Sequence, residues 1–294
     1  MLDTILRHCN LPDGRTDVDI GISNGRIAAV EPRLAASAGE EIDVAGQLVS
    51  PPFVDAHFHV DSTLSYGLPR VNQSGTLLEG IALWGELKPL LTQDAIVDRA
   101  LAYCDWAVAK GLLAIRSHVD VCDPRLLATE ALLHVRERVK PYLDLQLVAF
   151  PQDGVLRAPG ALENLRRALD MGVDVVGGIP HFERTMADGA ASVKLLCEEA
   201  AQRGLRVDMH CDESDDPMSR HIETLASESV RLGLQGRVTG SHLTSMHSMD
   251  NYYVSKLLPL MREAGVKWYC SVRVGGRCLN VPIWPRPDTE TSCF

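Results

Sequence analysis

Apolar positions change their period along this chain. Up to about residue 50 they alternate. Asp17-Val18-Asp19-Ile20-Gly21-Ile22 reads as a strand, Asn24-Gly25 as a two-residue hairpin turn and Arg26-Ile27-Ala28-Ala29-Val30 as the returning strand. Glu41-Ile42-Asp43-Val44 and Gln47-Leu48-Val49 predict a second short pair, so residues 1–50 are expected to form a small β-sheet domain. From there, short apolar runs alternate with helical patterns. The first run leads through Ser50-Pro51-Pro52 into Phe53-Val54-Asp55-Ala56-His57-Phe58-His59. A long connection from Asp61 to Leu91 follows, and Thr92 then caps a helix reaching about Lys110-Gly111. Further helices are expected from Asp123-Pro124, at 160–171, at 189–203 closed by Gly204, at about 219–232 and at about 250–264. Between them lie expected strands at 113–118, 145–150, 174–179, 205–210 and 237–242.

The strand ends at 118, 152, 181, 210 and 242 fall 29–34 residues apart. That is the length of one strand plus one crossover helix. Six such units, counting the one that ends at His57, predict an α/β chain built as a (β/α)8 TIM-like barrel. A doubly wound open sheet is the fallback, but no Gly-rich nucleotide turn follows the first strand.

Barrel chemistry sits at the carboxyl ends of the strands. Five of the six strands end in histidine, namely His57 with His59, His118, His181, His210 and His242, and the other ends in Gln152. Side chains alternate faces along a strand, so His57 and His59 point the same way, as two ligands of one transition metal must. Strands one and five face each other across an eight-stranded barrel, which makes His57, His59 and His210 the best metal ligands. Glu213, three residues past His210, is placed to shuttle protons without binding the metal. His242 is placed to hold or polarise an attacking hydroxide. Gln152 offers both an amide donor and an acceptor, the complement of a cyclic ureide or amidine edge. Bland readings stand beside these: a hydrogen-bonded rim histidine at any one position, a solvated acidic loop of Asp212, Glu213, Asp215 and Asp216, and a Gln152 that ties down its own loop.

Charge narrows the partners. Asp and Glu outnumber Lys and Arg by 39 to 29 without any basic run, which argues against nucleic acid and suits a small neutral substrate. The N-terminus lacks a basic region before a long apolar core, and no segment reaches about 18 uninterrupted apolar residues, so a soluble, cytoplasmic protein with no membrane partner is expected. The eight cysteines form no Cys-x-x-Cys pair, so neither a zinc knuckle nor a disulfide framework is encoded. Cys211 reads as a packed small residue rather than a nucleophile.

Taken together, Phe53–Asp61, Asn72-Gln73-Ser74-Gly75-Thr76-Leu77, Ser117–Val121, Ala149-Phe150-Pro151-Gln152, Ile179–Glu183, His210-Cys211-Asp212-Glu213 and Ser241–Ser248 make the chain similar to bacterial cytosine deaminase of the amidohydrolase superfamily over roughly residues 10 to 266. The resemblance implies a metal-activated water, on one iron or zinc ion, that displaces ammonia from a pyrimidine base. It implies metal binding by His57, His59 and His210, protonation of the ring nitrogen by Glu213 and assistance to the hydroxide by His242. Gln152 would bind the pyrimidine edge, Leu77 would pack on the ring, and homo-oligomers are implied. Isocytosine, creatinine or another cyclic amidine is the alternative substrate. A bridged two-metal amide-ring hydrolase would often carry a lysine at the end of strand four, where His181 stands.

The pattern breaks near the C-terminus. The barrel is read as strands one to six over 51–266, followed by a divergent tail at 267–294. Val266, Trp268, Cys270, Val272 and Val274 alternate as a seventh strand, but Pro282, Pro285 and Pro287 exclude a helix after Gly275-Gly276. In the resembled family an aspartate from the eighth strand completes the metal site. The tail therefore reads as a frameshifted, truncated or chimeric frame or as a natural variant, with an incomplete barrel, poor solubility and impaired catalysis as its expected consequences.

Overall fold

The computed structural model describes residues 1–270, 272–274 and 277–279, with side chains as far as Trp268. Contacts divide it into two units, Met1–Phe53 and the chain from Val54 onward. The first unit is a sheet of β1 (Leu2–Cys9), β2 (Val18–Ser23), β3 (Arg26–Glu31) and β4 (Ala38–Asp43) in the order β3-β2-β1-β4. Asn24 and Gly25 both adopt positive φ, as the expected hairpin turn demands, and join β2 to β3 in antiparallel register. Cys9, Val18 and Ile20 are buried as its core. The expected pairing of 41–44 with 47–49 does not form. Ile42 and Asp43 pair in parallel with β1, and Leu48 makes a single bridge to Asn10. A local pattern of alternation names strands but not their partners, and here the non-local partner wins.

The second unit carries a parallel sheet. Its strands are β5 (Phe53–Phe58), β6 (Leu112–Asp120), β7 (Asp144–Phe150), β8 (Val175–Gly178), β9 (Arg206–Cys211), β10 (Val238–His242) and β11 (Lys267–Cys270). Their order in the sheet is their order in the chain, β11-β10-β9-β8-β7-β6-β5. Each strand thus pairs with the next after one helical crossover, the winding of a (β/α) barrel, and the sheet curls as a half-barrel.

The crossovers are α2 (Gln93–Val108), α3 (Leu127–Val139), α4 (Ala161–Asp170), α5 (Met186–Arg203), α6 (His221–Leu232) and α7 (Asn251–Glu263), preceded by α1 (Leu77–Leu87). The longest, α5, shows why they form. The Thr185 hydroxyl accepts from the Asp188 N–H at its start, and Gly204 closes it at φ 68°. Val193, Leu196, Cys197 and Ala200 fall on one face at helical spacing and are fully buried. Each Val or Leu buried in this way contributes about 1.5–3 kcal/mol.

Two readings of this unit are corrected. The connection from Asp61 to Leu91 contains α1, capped by Thr76, whose hydroxyl accepts from Glu79 N–H. Gly80 and Gly85 lower its helix propensity and mask it in the sequence. The seventh strand is shorter than the alternation to Val274, since β11 ends at Cys270, and β12 (Val272–Val274) instead pairs antiparallel with β13 (Arg277–Leu279). The proline-rich stretch from 280 to 294 lies outside the described residues. No helix among the described residues is long and apolar enough to cross a membrane.

Candidate metal centre

The pleat aims the first two histidines. Phe58 points into the helix layer and stacks on Tyr103 of α2, with ring centroids 4.3 Å apart. His57 and His59 take the other face, and His59 already belongs to the turn that follows β5. His118 and His210 arrive near the carboxyl ends of β6 and β9. Ligand atoms of His57, His59, His118 and His210 all lie within 4.8 Å of one another. The His59 and His210 Nε2 atoms are 3.1 Å apart. Two nitrogens that share one ion at about 2.1 Å lie roughly 3.0–3.4 Å apart when their angle at the ion is between square and tetrahedral.

The donor set fits a divalent metal on two further grounds. Neither ring nitrogen of the buried His118 makes a close hydrogen bond, its Nε2 lying 3.5 Å from Asp208 Oδ1, and coordination through one of them would relieve part of that cost. The rings are also neutral, the form that binds metal. Burial lowers His59 to about 4, and it lowers His57, His118 and His210 with help from the neighbouring imidazoles.

His242 reaches the cluster by a backbone device. In parallel register Ser241 pairs with His210 and His242 with Cys211, so alternation alone would send His242 away from the face that His210 uses. Instead His242 has φ 75° and Leu243 φ 51°, both left-handed. The twist brings the His242 ring centroid within 4.6 Å of His57 and 4.9 Å of His210. Its Nε2 lies 3.8 Å from Glu213 Oε2.

The loops after β9 and β10 are tied around this pair. The Thr244 hydroxyl donates to the carbonyls of Asp212 and Ser214 at 3.0 and 3.2 Å, and Ser245 N–H donates to Asp212 O. The acidic run then separates by role. Asp212 is buried and accepts from the Ser219 hydroxyl, from His221 N–H and Nδ1, and from Ile222 N–H, which fastens the start of α6. Asp215 and Asp216 are exposed, and Glu213 is half-buried beside His242.

Gln152 follows the end of β7, and Leu77 opens α1. A bridge connects their segments: Lys88 Nζ lies 2.7 Å from Asp153 and 2.9 Å from Asp120. His181 stands outside the ligand set, its Nδ1 donating to the His210 carbonyl at 3.0 Å. The strand pattern marks His118 only as a rim histidine, and it does not single out Arg116, Asp208 and Ser241, which lie next to the cluster. Arg116 and Asp208 stand two residues before His118 and His210, so period-two alternation on those strands is the signal that marks them.

The neutral rings set a pH response. Burial lowers His181 to about 4, and burial with the like charges of His59 and His181 lowers His242 to about 3. In the unfolded chain each ring titrates near 6.5. As pH falls from 6.5 toward 4, the unfolded chain takes up protons that the folded rings refuse, and stability drops by about 1.4 kcal/mol per pH unit per ring. Asp61, pushed up to about 7 by burial, Asp55, also raised by burial, and His8, raised by its hydrogen bond to Asp43, act in the opposite direction, but they are three groups against six rings. The urea midpoint of the metal-free chain is therefore expected to fall between pH 7 and pH 5, and a midpoint that rises would contradict these neutral rings.

Comparison with known proteins gives this geometry its relatives. An amidohydrolase family model matches residues 40–277. The crystal structure of 5-methylcytosine deaminase from Klebsiella pneumoniae liganded with 5-fluorocytosine is 40% identical with a TM-score of 0.86, over 90% of this chain and 64% of that one. N-isopropylammelide isopropylaminohydrolase from Burkholderia multivorans is 27% identical with a TM-score of 0.79, over 92% of this chain and 68% of that one. N-isopropylammelide isopropyl amidohydrolase from Pseudomonas sp. strain ADP is 31% identical over 272 residues, 90% of this chain and 67% of that protein. This chain thus spans about two thirds of the length of these relatives. A family model matched over most of its length, together with that relative, shows that the chain belongs to the amidohydrolase family.

Proposed function

We propose that this chain hydrolyses cytosine to uracil and ammonia, with His57, His59 and His210 holding one divalent iron or zinc ion. The observation that carries the reading is the pairing of Glu213 with His242, 3.8 Å apart, against the buried histidines. A bound divalent ion lowers the pKa of water and so supplies a nucleophile near neutral pH. Glu213 accepts the proton that the water gives up and delivers it to the ring nitrogen next to the reacting carbon. The new C–O bond forms as the ring C=N double bond opens onto the nitrogen that takes this proton. The bond to the exocyclic amine then breaks as the carbonyl forms, and the water's second proton leaves with ammonia. His242, kept neutral by burial, orients the attacking water through a hydrogen bond. The Gln152 amide pairs with the donor and acceptor edge of the pyrimidine, and Leu77 packs on its face.

A related cyclic amidine is the second reading, supported by the 40% identity to a 5-methylcytosine deaminase. Ammonia release from cytosine, 5-methylcytosine, isocytosine, creatinine and N-isopropylammelide separates the two. Cytosine is expected to be turned over with the highest kcat/KM. Turnover of another member alone would move the substrate within the same chemistry, and turnover of none would point to a chain impaired in catalysis.

A further inference from the structure

A buried polar layer lies behind the histidines, on residues the proposed mechanism does not use. Asp208 of β9 is fully buried. Its Oδ2 accepts from Arg116 Nη1 of β6 at 2.8 Å, and Arg116 Nε also donates to Gln146 Oε1 of β7 at 2.7 Å. Its Oδ1 accepts from the Ser241 hydroxyl of β10 at 2.6 Å, a short, charge-assisted hydrogen bond. The Ser241 oxygen in turn lies 3.2 Å from His57 Nδ1.

A hydroxyl has one proton to donate. With that proton committed to a carboxylate, Ser241 meets His57 as an acceptor, so Nδ1 carries the imidazole proton and Nε2 keeps its lone pair. Loss of the carboxylate removes the acceptor that holds this proton, and a Ser241 hydroxyl turned toward Nδ1 would favour the opposite tautomer. We propose that Asp208 and Ser241 form a positioning relay that fixes His57 in the Nδ1-protonated tautomer and so presents Nε2 to a divalent ion. The inference rests on the reading that His57 is a metal ligand. Arg116 serves the relay by holding Asp208 in place through its 2.8 Å contact, so the three residues act as one unit spread over β6, β9 and β10. Partners of this kind behind a metal-binding histidine are worth about 10- to 100-fold in metal affinity.

Zn2+ affinity of the purified chain, measured by competition with a chromogenic chelator, tests the relay without reference to activity. The native chain is measured first, and failure to bind Zn2+ would sink the metal reading itself. Given native binding, Ser241→Ala is expected to weaken it about 10- to 100-fold. Ser241→Thr, which keeps the hydroxyl, is expected to retain it. Asp208→Asn should weaken binding as Ser241→Ala does, and the double variant should bind no worse than the weaker single variant, because both act through one path. Unchanged affinity in Ser241→Ala, equal losses in the Ala and Thr variants, or losses that sum in the double variant would each overturn the relay. Should Asp208→Asn fail to fold, as judged by circular dichroism of the metal-free chain, the comparison of Ala with Thr at position 241 decides alone.

Discussion

Glu213→Gln is expected to cut ammonia release from cytosine by about 10²- to 10⁴-fold, the range over which a positioned general acid–base group acts, while leaving bound metal unchanged. The substitution keeps the shape of the side chain and removes only its ability to carry a proton. Its position makes the result specific. Glu213 is half-buried beside His242, in a loop held on both sides by the Thr244 hydroxyl, whereas Asp212 next to it is consumed by four hydrogen bonds at the start of α6. Metal analysis and steady-state turnover on one preparation check both halves of the expectation. Metal lost in parallel with activity would make Glu213 a ligand rather than a shuttle.

His210→Ala is expected to abolish both properties. The ring lies at the centre of the cluster, with Nε2 3.1 Å from His59 Nε2 and its face stacked on Phe150 at 4.1 Å. Removing a ligand should weaken metal binding by more than the roughly 100-fold seen for an outlying partner, and turnover should fall to background. Unlike the glutamate variant, which keeps its metal, this one should stay short of metal when Zn2+ is supplied at moderate concentration. Dialysis against Zn2+ followed by metal analysis reads the loss, and a chain that keeps its full metal content without His210 would refute this ligand set.

Much of this architecture is legible in the amino-acid sequence, because barrel topology is local. One strand and one helix repeat every 29–34 residues, and each pairs with its neighbour in sequence, so periodicity alone orders β5 to β10. The same regularity places His57, His59, His118, His210 and His242 at strand ends. Non-local features are not legible in this way. Which strand Ile42 joins depends on β1, some 36 residues earlier, and two glycines hide α1 from a propensity reading. His242 belongs to the site only through a left-handed turn of the backbone, which departs from the alternation that orients the clustered histidines. Asp208 and Ser241 carry no motif of their own, although their registers put them on the same face as the histidines.

The central claim is tested most directly by measuring ammonia release from cytosine by the purified chain, with metal content determined on the same sample. The account predicts turnover with about one divalent ion per chain, the stoichiometry of a single metal that activates water. A folded chain that carries the ion and releases no ammonia from cytosine would contradict it.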